Sequence, residues 1–89
     1  MDQIDFSRIP LHVRRATAHR TDTSPHVLDL LAGDPDPDVR MAVAANPATP
    51  PDALQRLAAD SVSRVAARAG IGLAVCHMLT YFTNERSFV

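Results

Sequence analysis

The chain has 89 residues, a formal net charge of -1 and 46% hydrophobic residues, with aromatics at 4% and no tryptophan. That is material for a single domain, and it is too poor in aromatic and β-branched side chains for a sheet sandwich, so helices packed closely through small residues are expected. A charge so near zero excludes a global field drawing the molecule to nucleic acid or to an anionic membrane.

The opening stretch, "MDQIDFSRIP", is acidic and polar and lacks the basic-then-apolar run of a secretory signal. A first helix is expected from about Pro10 to Ala18. A second opens at Ser24-Pro25 and is expected to bury Val27, Leu28, Leu31 and Ala32. The third starts near Asp36-Pro37 and carries Val39, Ala42 and Val43 at helical spacing. Asn46-Pro47 stops it, because the residue before a proline is pushed out of the α region. In the fourth, Thr49 is the expected cap, with Asp52 completing a Thr-x-x-Asp pattern. That helix runs to about Ala59, with Ala53, Leu54, Leu57 and Ala58 as its apolar stripe. A further, weaker unit over about 63–70 gives way at Gly70-Ile71-Gly72. Over about 71–83, Ile71, Ala74, Val75, Met78, Leu79 and Phe82 then recur at the spacing of a strongly amphipathic helix, expected to cap the last repeat. No run approaches the roughly 18 apolar residues that a membrane span requires.

Shifting the chain by 26 residues lays Val13-Arg14 on Val39-Arg40, Ala16 on Ala42, Ala18 on Ala44, Thr23 on Thr49, Pro25 on Pro51 and Leu28 on Leu54. The same shift lays Leu31-Ala32 on Leu57-Ala58 and Asp34 on Asp60, ten identities in all. Repetition at such a period signals a solenoid, here with repeats at about 11–36 and 37–62. Two-turn helices are marginal alone, and stacking against neighbours is what stabilises them.

The residues Asp34, Val39, Arg40, Val43, Ala44, Asn46, Pro47, Thr49, Pro50, Leu54, Leu57, Ala58 and Asp60 resemble the leucine-rich repeat variant, a bacterial repeat similar in style to HEAT-type helical repeats. The resemblance is close for about 30 residues and recognisable over Leu11 to Arg68. It implies alternating α and 3₁₀ helices in a right-handed superhelix that serves as an interaction scaffold. One member type carries a cysteine-ligated iron-sulfur module, and a chain whose only cysteine is Cys76 lacks the ligands for it. In the third unit the pattern departs, with Ala66 where arginine is expected.

All nine basic residues are arginine, a composition suited to planar recognition of carboxylate or phosphate and equally to a coding bias. Arg14 and Arg40 share one repeat position and would form a ladder, with Arg15, Arg20, Arg64 and Arg68 nearby. One reading makes them internal, paired with the preceding aspartate of the motif, as Arg40 with Asp34, or with a loop carbonyl. The other makes them an anion-reading surface for acidic peptide or phosphate. His12, His19 and His26 fall seven apart, but Pro25 interrupts any common helix, so no metal site is expected. Asp34, Asp36, Asp38, Asp52 and Asp60 lie where helices begin and read as caps.

Function is therefore expected to be that of a non-catalytic protein-protein interaction module without cofactor or metal, in a reducing cytoplasm suited to the lone Cys76. Nucleic-acid or phosphate binding through the arginine ladder is the alternative, weakened by the scarcity of aromatics to stack bases. Candidate partner contacts are Arg14, Arg15, Arg40, Met78, Tyr81 and Phe82, the last three allowing a homodimer through the C-terminal helix. The final Ser-x-Val has the form some peptide-binding domains accept, against an unstructured end as the default.

Overall fold

The structure, a computed structural model, describes residues 8–74. Four helices follow in order, α1 Leu11–His19, α2 Pro25–Leu31, α3 Pro37–Ala45 and α4 Pro51–Ala58. A fifth, α5, is described over 63–74. The described residues contain no strand, and the all-α class expected from composition holds. The pairs α1–α2 and α3–α4 stack as a short helical solenoid, α1 against α3 and α2 against α4.

Proline begins α2, α3 and α4, where its missing N–H leaves no bond unmade and its fixed φ suits the first turn. Ser24 accepts the Val27 N–H at 3.3 Å, and Asp36 accepts that of Asp38 at 2.8 Å. The cap expected of Thr49 does not form. Pro50 occupies the N-cap position of α4, and the buried Thr49 hydroxyl turns back to donate to the Val43 carbonyl at 2.6 Å. Thr23 does the same to the Thr17 carbonyl, also at 2.6 Å. These threonines thus satisfy the last carbonyls of the preceding helix instead of the first N–H groups of the next. The 3₁₀ helices implied by the family resemblance are also not what the described residues form. Even the seven-residue α2 is α, flanked by i to i−4 bonds from Leu28 to Ser24 at 3.1 Å and from Ala32 to Leu28 at 3.0 Å.

Leu28, Leu31, Leu54, Leu57, Val39, Val43 and Val65 make one buried core, filled in by Ala18, Ala42, Ala44, Ala53 and Ala69. Its 26-residue identity with Val39 predicts Val13 among them, and it is not there. It lies 42% exposed, whereas Val39 and Val65 at the same position of successive units are both at 0%. The covering surface is the helix one unit earlier: α1 covers Val39 and no described helix stands before α1. Ala58 is exposed and Val27 only partly buried, so the helix stripes are narrower than expected.

The expected break at Gly70 and Gly72 is absent, and α5 runs through both. Its inward face is Val65, Ala69, Gly72 and Leu73, and a Cβ on Gly72 would meet both Leu54 methyls at 3.3 Å. Glycine here serves close approach, not a turn. This register turns Ile71, 55% exposed, and Ala74 away from the core, opposite to the stripe expected for a cap starting at Ile71. The remainder of that expected helix, through residue 83, lies outside the described residues.

Leu54→Ala removes the side chain that packs beneath Gly72 and is expected to cost about 2–5 kcal/mol. Arg56 reaches the Asp29 carboxylate and, at 3.0 Å, its carbonyl on the open surface, so Arg56→Ala is expected to cost less than about 1 kcal/mol. Thermal melts followed by circular dichroism check both, and a Leu54→Ala chain melting like the parent would contradict the core assignment.

Candidate functional site

A like polar clamp recurs in each repeat, and the second also reaches back to the first. Arg14 Nε donates to Asp34 Oδ2 at 2.7 Å, and Nη2 lies 3.5 Å from Oδ1. Asp34 Oδ1 also accepts the Asp36 N–H at 2.9 Å, while Arg14 Nη1 donates to the Ile9 carbonyl. Twenty-six residues on, every part recurs. Arg40 Nε donates to Asp60 Oδ2 at 2.7 Å and Nη2 to Oδ1 at 3.2 Å, Asp60 Oδ1 accepts the Val62 N–H at 2.9 Å, and Arg40 Nη1 donates to the carbonyls of Asp34 at 2.8 Å and Pro35 at 3.1 Å. The Asp34 side chain is fully buried and that of Asp60 nearly so.

The partner is therefore not the preceding aspartate of the motif. Arg40 pairs with Asp60, and only the backbone carbonyl of Asp34 serves it. A carboxylate buried at a turn needs a nearby cation. The helix whose arginine points at that turn lies before it in the chain, so each carboxylate is reached from 20 residues upstream. The Arg40 guanidinium holds the Asp60 carboxyl below its ordinary value. Burial opposes that shift, and the Val62 N–H and the charge of Arg40 reinforce it.

Asn46 supplies a third link. Buried at the end of α3, it donates through Nδ2 to the carbonyls of Ala18 and Arg20, each at 2.8 Å, and accepts the Ala48 N–H at 2.9 Å. It closes the C-terminus of α1 from the next repeat. The sequence marked it only as a stop, because Arg20 and Gly72 stand at the equivalent positions and the repetition gave no signal there.

On the outer face, Asp38 of α3 accepts from Arg15 Nη2 of α1 at 3.3 Å and from Arg64 Nη2 of α5 at 3.0 Å. All three side chains are well exposed. Beside them α1 and α3 form a shallow groove of about 360 Å³, lined by Arg15, His19, Asp38, Met41, Ala42 and Ala45. Asp38 was expected only as a cap residue, and its bridging role across three helices was not legible from one helix.

Comparison with known families places a leucine rich repeat variant unit over residues 11–36 and a second over 37–62, together more than half of the chain. The chain belongs to the leucine-rich repeat variant family. No curated protein and no solved structure matches it significantly. The clamps and the Asn46 link fall inside the two leucine-rich repeat variant units, as does most of the groove. Of the candidate contacts, Arg14 and Arg40 are turned inward by those clamps and Arg15 stands on the outer face. Met78, Tyr81 and Phe82 lie outside the described residues, as do the helix proposed for a homodimer and the Ser-x-Val end. His12 and His19 sit on α1 and His26 on α2, and no group of three or more potential metal ligands occurs among the described residues. Nor is any described helix long and apolar enough to cross a membrane.

Removing Arg40 leaves a nearly buried carboxylate without its guanidinium, so Arg40→Ala is expected to cost about 1–3 kcal/mol. Arg20, paired with Asp22 at 2.8 Å on the exposed surface, provides the control, and Arg20→Ala is expected to melt like the parent. The pair also sets an acid limit. Because the folded-state pKa of Asp60 is depressed, its contribution is fully present above the unfolded value of about 3.9 and is lost as pH falls through the folded value. Asp60→Asn is therefore expected to flatten the fall in melting temperature below about pH 4 while lowering stability at neutral pH. A variant whose acid limb stays as steep as the parent's would exclude Asp60 as a contributor.

Proposed function

We propose that the chain is a non-catalytic protein-interaction module whose working surface is the outer face of α1, α3 and α5. The observation that carries this reading is the groove between α1 and α3, where partly exposed polar groups border an apolar floor of Met41 and Ala45. Two buried clamps fix the helices that present it, and a surface built on rigid elements loses little entropy when a partner docks. The repeat family supports the same role, since stacked helical units build extended faces suited to macromolecular partners.

Affinity capture tests it. Immobilised full chain is expected to retain a protein from nuclease-treated lysate of its source cell, and the Leu54→Ala chain to lose it. Retention that disappears with nuclease treatment would favour the nucleic-acid reading in its place, and no retained protein from any fraction would remove the interaction reading.

A further inference from the structure

We propose that the α1–α3–α5 face takes an acidic peptide segment carrying small apolar side chains. The inference rests on the interaction-module reading and names its partner class. On α1 the outward stripe at i, i+3, i+4 and i+7 is His12, Arg15, Ala16 and His19. On α5 the equivalent stripe is Arg64, Ala67, Arg68 and Ile71. Between them α3 presents Asp38, Met41, Ala42 and Ala45. The face thus sets three arginines against one aspartate, an excess of two positive charges on a chain whose net charge is -1.

The state of those arginines separates them from the structural pair. In Arg14 and Arg40 the Nε–Nη2 fork is closed on an aspartate. In Arg15 only Nη2 reaches a carboxylate, at 3.3 Å, and Nε is buried without an acceptor, which leaves the Nη groups as its outward donors. Arg64 offers a single Nη2 to the same Asp38 at 3.0 Å. Arg68 lies one turn beyond Arg64 with no ion pair given to it by the described residues. A guanidinium carries five N–H donors, so Asp38 orients two of these groups while satisfying a small part of their capacity. Carboxylates laid along the face would take up the outward Nη donors that Asp38 leaves over, the charge-assisted bonds that arginine favours.

The floor decides between acidic partners. Met41 and Ala45 in the groove and Ile71, 55% exposed, call for apolar side chains between the acids. A nucleic acid would meet Asp38 at the centre of the patch, and the described residues hold no phenylalanine, tyrosine or tryptophan to stack a base. An acidic, alanine- or leucine-bearing peptide satisfies both halves of the surface.

Fluorescence anisotropy with the full chain tests this, using a short labelled peptide of alternating glutamate and leucine, its glutamine analogue, and a labelled oligothymidine. Saturable binding of the acidic peptide is expected, weakening with salt, with the glutamine analogue bound at least about tenfold more weakly. The double variant Arg15→Gln, Arg68→Gln is expected to lose about tenfold in affinity, and Arg20→Gln to lose nothing. Ala45→Glu, at an exposed position that disturbs no clamp, should block the face independently. Equal binding of the glutamine analogue, equal loss in Arg20→Gln, tighter binding of oligothymidine, or no peptide binding would each overturn the proposal. A chain that still captures its protein partner after the double substitution would overturn this face as the working surface while leaving a protein-interaction role intact.

Discussion

A carboxylate withdrawn from water and gripped by a guanidinium organises everything else in the molecule. Asp34 and Asp60 each fold a turn around themselves by accepting an N–H two residues on, and each is neutralised by the arginine of its own unit, 20 residues upstream. Removing a charge from solvent is costly unless its partner and its remaining lone pairs are all satisfied. The clamps meet that condition with a forked donor, a backbone N–H and, on the arginine side, loop carbonyls. Such pairs add little net stability over a well-packed apolar substitute. What they add is register, since an arginine one turn out of place would leave a buried aspartate alone.

Register is what the small core needs. The interior is built from alanine, valine and leucine. Such side chains pack densely only if the helices approach closely and at fixed depth. Gly72 against Leu54 shows the tolerance, because one methyl added there would force the leucine to shift by tenths of an ångström. The same fixed stacking aligns the outward stripes of α1, α3 and α5, so that Arg15 and Arg64, on helices two units apart, meet on Asp38. A surface that no single helix contains is thereby made by the interior.

Much of this could be read in advance, and the exceptions share a cause. Prolines and small polar residues mark helix starts by local chemistry, so the bounds of α1 through α4 were legible to within a residue or two. The 26-residue identities likewise exposed the core leucines and set Arg14 and Arg40 at one repeat position, while leaving open whether they face inward or outward. What failed depended on neighbours. Val13 has the identity of a core residue, and no described helix stands before α1 to cover it. Thr49 has the chemistry of a cap and serves the helix behind it. Gly70 and Gly72 read as a stop, yet α5 continues because packing against Leu54 needs the missing side chain. Asn46 was visible as a stop and invisible as a clasp, since its partners lie 26 and 28 residues away.

Those distances have a consequence for how the chain folds. Among the described residues the long side-chain bonds between units span 23 to 28 residues, and none reaches farther than the adjacent unit. Loops of that size close at modest entropic expense, and structure can propagate from whichever unit forms first. Cooperativity then decays along the array instead of being shared across it, as in a one-dimensional chain of coupled spins. An added copy spliced between residues 36 and 37 would repeat the arginine–aspartate clamp and the stacked leucines, which makes the length of such an array the freest of its properties.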